Sequence, residues 1–207
     1  MVAESLSCDA ALTAVQAAHP GAAPNDGFLT QLQMFGTMRC RLDDSHAPYR
    51  RFRVAQAARA HAAGSAPDAL HAASLLGADP AAGGGAAVPA AAGAVRCRKC
   101  RRLLATAEHT VPHTRGAGAG AFDAHKRRKG AIDPAAPCSS VFLEPLAWMA
   151  PALSDAAVEG KLSCPKCSGR LGSFSWVGER CSCGAWVVPA FQLHAARVDV
   201  TPGQALA

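Results

Sequence analysis

A helical segment followed by a small zinc-stabilised β/irregular domain is the fold class predicted by three features of this 207-residue sequence. Apolar residues near the N-terminus recur at helical spacing, a middle tract is dominated by Ala, Gly and Pro, and most of the cysteines fall between Cys97 and Cys183. Half of the residues are hydrophobic but only 5% are aromatic, so alanine rather than core-building side chains makes up much of the apolar count. That composition argues against a large enzyme built on a single core.

Ser5 to His19 reads as an Ala-rich helix stopped by Pro20-Gly21. Asn25 or Asp26 can cap a second helix, on which Phe28, Leu32 and Phe35 form one apolar stripe that needs a partner surface. Asp44 or Ser45 can cap a third helix through Tyr49, Phe52 and Val54. Residues 1–54 therefore form a helical first part with a weak core of its own. Residues 55–94 contain no aromatic residue and a Gly83-Gly84-Gly85 run, the composition of a low-complexity linker. Residues 95–200 form the second folded unit, where all three tryptophans and β-type runs such as Ser140-Val141-Phe142-Leu143 occur; residues 201–207 are a tail.

The formal charge of +6 favours acidic partners without naming them. Met1 to Glu4 offers no signal-peptide pattern, and the run from Ala81 to Val95 is too weakly apolar to cross a bilayer. A cytoplasmic and nuclear protein without a membrane span is expected.

Nine cysteines, an odd number in uneven clusters, do not make a fully paired disulfide framework, whereas Cys-x-x-Cys spacing suits a metal. Cys164, Cys167, Cys181 and Cys183 supply one four-thiolate set if the hairpin between them closes as a zinc ribbon. Cys97, Cys100 and Cys138 supply three ligands of a second set, completed by His109 or His113, with His125 and His194 as further choices. Each set closes with four protein ligands and leaves no position for water, so two structural rather than hydrolytic zinc ions are expected. Cys8 and Cys40 lack a knuckle partner and read as ordinary helix-face thiols.

Two basic groups surround the ligands: Arg96, Arg98, Lys99, Arg101 and Arg102, then Lys126, Arg127, Arg128 and Lys129. With Trp176 and Trp186 they form either a surface for RNA phosphates or an acidic protein, or a solvated face over a tryptophan core. No recognition-helix pattern lies between the knuckles, which argues against DNA.

Through RCRKCRRLL, VFLEPLAWM, CPKCSGRLGSFSW, GERCSCGAWVVPAFQLH and ARVD, residues 95–200 resemble the C-terminal zinc-binding domain of the YVH-type dual-specificity protein phosphatases. In that family a histidine lies thirteen positions after the second knuckle cysteine, which the resemblance places at His113. Pro24-Asn25-Asp26-Gly27-Phe28, Gln31-Leu32 and Tyr49-Arg50-Arg51-Phe52 resemble the last helices of the same family's phosphatase domain, so residues 1–54 are expected to be part of an α/β domain. The resemblance implies a role in assembly of the large ribosomal subunit, with a pre-ribosomal particle or its proteins or RNA as partner, and phosphoproteins as substrates of a full-length parent.

Such phosphatases use a Cys-x5-Arg loop that cradles phosphate around a thiolate nucleophile. Only Cys164 to Arg170 fits that spacing here, and the predicted metal would occupy its sulfur. No catalytic residue is assigned, and the chain by itself is expected to be inactive as a phosphatase.

Overall fold

Short polar side chains start the first two helices. The computed structural model describes residues 1–2, 6–65, 73–83, 93–114, 138–153 and 157–201, and among them the chain divides into two units, Met1–Arg50 and Arg51–Ala207. In the first unit, Ser7 accepts from the Ala10 amide at 3.2 Å to start α1 (Cys8–Ala18), and Asn25 accepts from the Phe28 amide at 2.9 Å to start α2 (Asp26–Thr37). Neither helix has a buried residue, and Phe28 and Leu32 of the apolar stripe are 59% and 36% exposed.

The third helix, α3 (Ala47–Ala62), begins later than its expected caps. The Arg50 amide donates to the His46 carbonyl, while Asp43 accepts from Ser45 in the turn before. Neither Asp44 nor Ser45 occupies the cap position. The helix also runs well beyond Val54: Val54, Ala57, Ala58 and His61 are buried within the core of the second unit.

A low-complexity linker over 55–94 is therefore corrected for its described residues. Ala57 and Ala58 carry no bulk, which lets the helix backbone lie close against the core. Further on, Leu75 is 4% exposed, and Gly77 exchanges backbone hydrogen bonds with Pro145 and Ala147. Asp79 forms an ion pair with Arg102. Small residues that looked like spacer are packing surface here. Residues 66–72 and 84–92, including most of the glycine run, lie outside the described residues.

The second unit is built on antiparallel sheets. β1 (Ala94–Cys97) is flanked by β2 (Leu103–Thr106) and β9 (Val198–Thr201). A second sheet has the order β3 (Ser140–Phe142), β8 (Ala190–His194), β5 (Arg170–Ser175) and β4 (Glu159–Ser163). A ribbon of β6 (Glu179–Arg180) and β7 (Trp186–Val187) completes the set, and a short α4 (Ala150–Leu153) precedes β4. β8 lies between two partners and is buried from Ala190 through Leu193.

Between the sheets, Phe174 and Phe191 stack at 6.2 Å and Trp176 meets Phe191 edge-on at 5.3 Å. Trp148 donates its indole N–H to the Leu104 carbonyl at 2.8 Å. Trp176 is thus core, whereas Trp186 on β7 is 53% exposed. Buried Glu144 accepts from Arg51 at 2.7 Å, which ties the start of α3 within this unit to the strand region after β3.

The His61 ring stacks on Trp176 at 4.7 Å, and its Nδ1 has no partner among the described residues. Burial holds its pKa below the usual histidine value, so the folded protein keeps the ring neutral. The unfolded chain takes up this proton as pH falls below about 6.5. The contribution is therefore fully present above that pH and is lost as pH drops toward the depressed folded value. A His61→Phe variant should lose less stability than the parent between about pH 7.5 and 5, as read by urea denaturation. Equal losses in the two proteins would contradict this.

Candidate metal centres

Each cysteine knuckle is a backbone device before it is a ligand set. At the end of β1, the Cys97 amide donates to Arg102 O, the Arg101 amide donates to Cys97 O at 2.8 Å, and Arg101 takes a φ of 62°. After β4 the same turn recurs: the Cys164 amide donates to Gly169 O, the Ser168 amide donates to Cys164 O at 2.9 Å, and Ser168 takes a φ of 55°. Left-handed backbone at a non-glycine residue is strained, and in both knuckles it curls the turn so that its two sulfurs face one way. Cys181-x-Cys183 uses a turn one residue shorter, with Gly184 supplying the positive φ of 87°.

The eight residues expected as ligands come together in two groups, but not with the partners that sequence proximity suggested. Cys97 and Cys100 join Cys164 and Cys167; His113 and Cys138 join Cys181 and Cys183. The hairpin set of Cys164, Cys167, Cys181 and Cys183 is thereby corrected. Its flaw is distance: the six residues of β5 stand between the second and third of these cysteines, and an extended strand of that length spans about 20 Å. The four-cysteine centre draws ligands from two well-separated segments and the other centre from three.

The donor spacing fits a tetrahedral ion. Four sulfurs at 2.3 Å from a zinc ion lie about 3.8 Å apart, and a sulfur and an imidazole nitrogen about 3.6 Å. Cys97 and Cys167 sulfurs are 3.8 Å apart, those of Cys100 and Cys164 are 3.5 Å apart, and Cys138 Sγ lies 3.5 Å from His113 Nε2. All donors within each group lie within 4.8 Å of one another. The His113 ring is steadied edge-on against Phe142 at 5.2 Å.

His109 is not in either group. It is buried, and its Nδ1 lies 2.7 Å from the Thr106 hydroxyl and accepts from the Thr106 amide, closing a small turn after β2. His194 pairs in register with Ser140 on the β3–β8 ladder and also stays outside the groups, while His125 lies outside the described residues. Cys8 and Cys40 belong to neither group.

Without metal, one thiol in each group resists ionisation. Burial, reinforced by neighbouring cysteines, pushes Cys164 up to about 12 and Cys138 up to about 11. That is the reverse of the lowered pKa a cysteine nucleophile needs. Cys164, the one cysteine with an arginine six residues on, thus sits in a metal-ligand group.

The basic residues separate by environment. Asp199 accepts from Arg98 at 3.1 Å and also pairs with Arg101, and Arg102 pairs with Asp79. Arg101 and Arg102 are thus fastened within the fold. Lys99 stays exposed; Lys126, Arg127 and Arg128 lie outside the described residues, as does Lys129. Arg170 and Arg197, absent from the basic groups read in the sequence, border the Lys99 knuckle in space. Separated by more than 60 residues from that knuckle, they gave no local signal.

No protein-family model matches the chain. Individual relatives do. Human dual specificity protein phosphatase 12 is 37% identical over 96% of this chain and 57% of its own length, and tyrosine-protein phosphatase YVH1 of Saccharomyces cerevisiae is 34% identical over 98% and 58%. A probable inactive dual specificity protein phosphatase-like protein of Arabidopsis thaliana is 52% identical over 50% of this chain and 71% of its own length. The chain belongs to the YVH1 family of dual-specificity phosphatases. It spans somewhat over half the length of the human and yeast members. In this YVH1-family chain the unit of antiparallel sheets carries two cysteine-rich groups able to hold metal ions, which fits a zinc domain. Among the described residues, no helix is long and apolar enough to cross a membrane.

Proposed function

We propose that residues 51–201 act as a non-catalytic zinc module of a YVH1-type phosphatase, holding two structural zinc ions and docking on the assembling large ribosomal subunit in the nucleus and cytoplasm. One observation carries the non-catalytic reading: both ligand groups close with four side chains, and the chain's single Cys-x5-Arg frame has its cysteine inside one of them. Four protein ligands leave zinc no open position for water or substrate. The ions would supply the folding free energy that a core with few aromatics lacks, and hold knuckles from distant segments in register. The net positive charge and the exposed Lys99 favour an acidic, ribonucleoprotein-type partner.

The tagged chain is expected to co-sediment with pre-ribosomal particles, and Cys97→Ser and Cys164→Ser should abolish this. Sedimentation unaffected by both substitutions would remove the docking role. Purified chain should not turn over p-nitrophenyl phosphate, because its buried thiols offer no activated nucleophile; turnover sensitive to Cys164→Ser would refute the structural assignment. The protein phosphatase activity for which the relatives are named, toward phosphorylated Tyr, Ser or Thr, is on this reading carried by residues other than those of the module.

A further inference from the structure

Against the four-cysteine centre lies a cleft of about 310 Å³, bordered by Arg98, Lys99, Gly169, Arg170, Leu171 and Arg197 among others. Its walls come from three separate segments: the first knuckle, the start of β5 and the turn leading into β9. Four cations face it, and among its described lining residues there is no carboxylate. We propose that this cleft is a binding site for a phosphomonoester, presented as a phosphoserine or phosphothreonine on a peptide.

The arrangement is built rather than a loose charged surface. The Arg98 amide donates to Arg197 O at 3.0 Å, which fixes two of the walls to each other. The Arg98 guanidinium is oriented by Asp199 at 3.1 Å. The side chains of Lys99, Arg170 and Arg197 form no ion pair among the described residues, so they retain donors for a ligand. Gly169 lies between the two knuckles: a Cβ there would meet Cys167 Sγ at 3.5 Å and Lys99 Cδ at 3.8 Å, both ordinary contacts.

Charge favours a monoester over a nucleic-acid backbone. Zinc with four thiolates carries a net charge of −2 and offsets part of the four cations. With Arg101 and the Asp199 carboxylate that pairs Arg98 and Arg101 included, about two positive charges remain, which matches a phosphomonoester of about −1.5 to −2 held at one point. RNA instead presents single negative charges along a track, and single-stranded RNA also calls for aromatic platforms, of which there is none among the described lining residues. Clustered arginines with bidentate reach are the usual partners of a phosphorylated side chain.

The test is an NMR titration of the isotopically labelled, zinc-loaded full chain with acetyl-Ala-phosphoSer-Ala-amide, its unphosphorylated form and a short RNA duplex. Saturable shifts of the Lys99, Gly169, Arg170 and Arg197 amides are expected with the phosphopeptide alone. The double variant Arg170→Ala/Arg197→Ala should bind it at least about tenfold more weakly while keeping its zinc. Should that variant lose zinc, Lys99→Met, which alters one exposed side chain, is expected to weaken binding as well. Unmoved amides in the parent protein, or tighter binding of the duplex at these same amides, would overturn the proposal. Ribosomal sedimentation is a separate readout, so either reading can fail without the other.

Discussion

Cys164→Ser should strongly destabilise the second unit. Structural zinc contributes about 10–16 kcal/mol to small domains of this kind, whereas whole domains have a net stability of about 5–15 kcal/mol, so loss of one ion removes most of the margin and melts the part of the core around the four-cysteine centre while the other centre keeps its ion. The expected result is a much lower and broader thermal transition read by tryptophan fluorescence, since Trp148 and Trp176 are both buried in this core. Cys8→Ser and Cys40→Ser, at positions outside both groups, should melt like the parent. Acid or a strong chelator should act as Cys164→Ser does. Protons compete for thiolates, and the raised Cys138 and Cys164 pKa values of the metal-free state favour the proton at one position of each group as pH falls.

Paired substitutions test the crossed arrangement directly. Cys97→Ser with Cys164→Ser removes ligands from one centre, so about one zinc ion per chain should remain; Cys164→Ser with Cys181→Ser should remove both. Metal analysis giving the opposite pattern would restore the hairpin pairing of Cys164, Cys167, Cys181 and Cys183.

Gly172→Ala should be the most damaging replacement of a single hydrogen by a methyl group. Gly172 sits opposite Leu193 on the β5–β8 ladder, and a Cβ there would lie 1.9 Å from Gln192 O and 3.0 Å from Leu193 Cα. These are backbone atoms of a central strand and cannot rotate away. The two strands would have to part, and β5 spans the stretch between Cys167 and Cys181, so both ligand groups would feel the displacement. A destabilisation of at least about 3 kcal/mol in urea denaturation is expected. Gly169→Ala, three residues earlier, meets only ordinary contacts and should change the midpoint little. A wild-type midpoint for Gly172→Ala would show that the ladder is not as close as the geometry states.

What was legible in the sequence was local. Cap residues Ser7 and Asn25, the β run at Ser140, the knuckle spacings and the family to which they belong all depend on neighbours in the chain, where residue type alone restricts the backbone or the donor chemistry. The ligand types were legible for the same reason. What only the tertiary structure decided was which segments meet. Pairing of the knuckles depended on the length of β5 and on the antiparallel return of β8 and β9, and no local spacing encodes those. The packing of Ala57 and Ala58 was hidden because small residues contribute by allowing close approach, a property of the surface opposite them rather than of their own composition. Arg170 and Arg197 became neighbours of Lys99 by the same means, through the folding of three distant segments onto one metal-ligand turn.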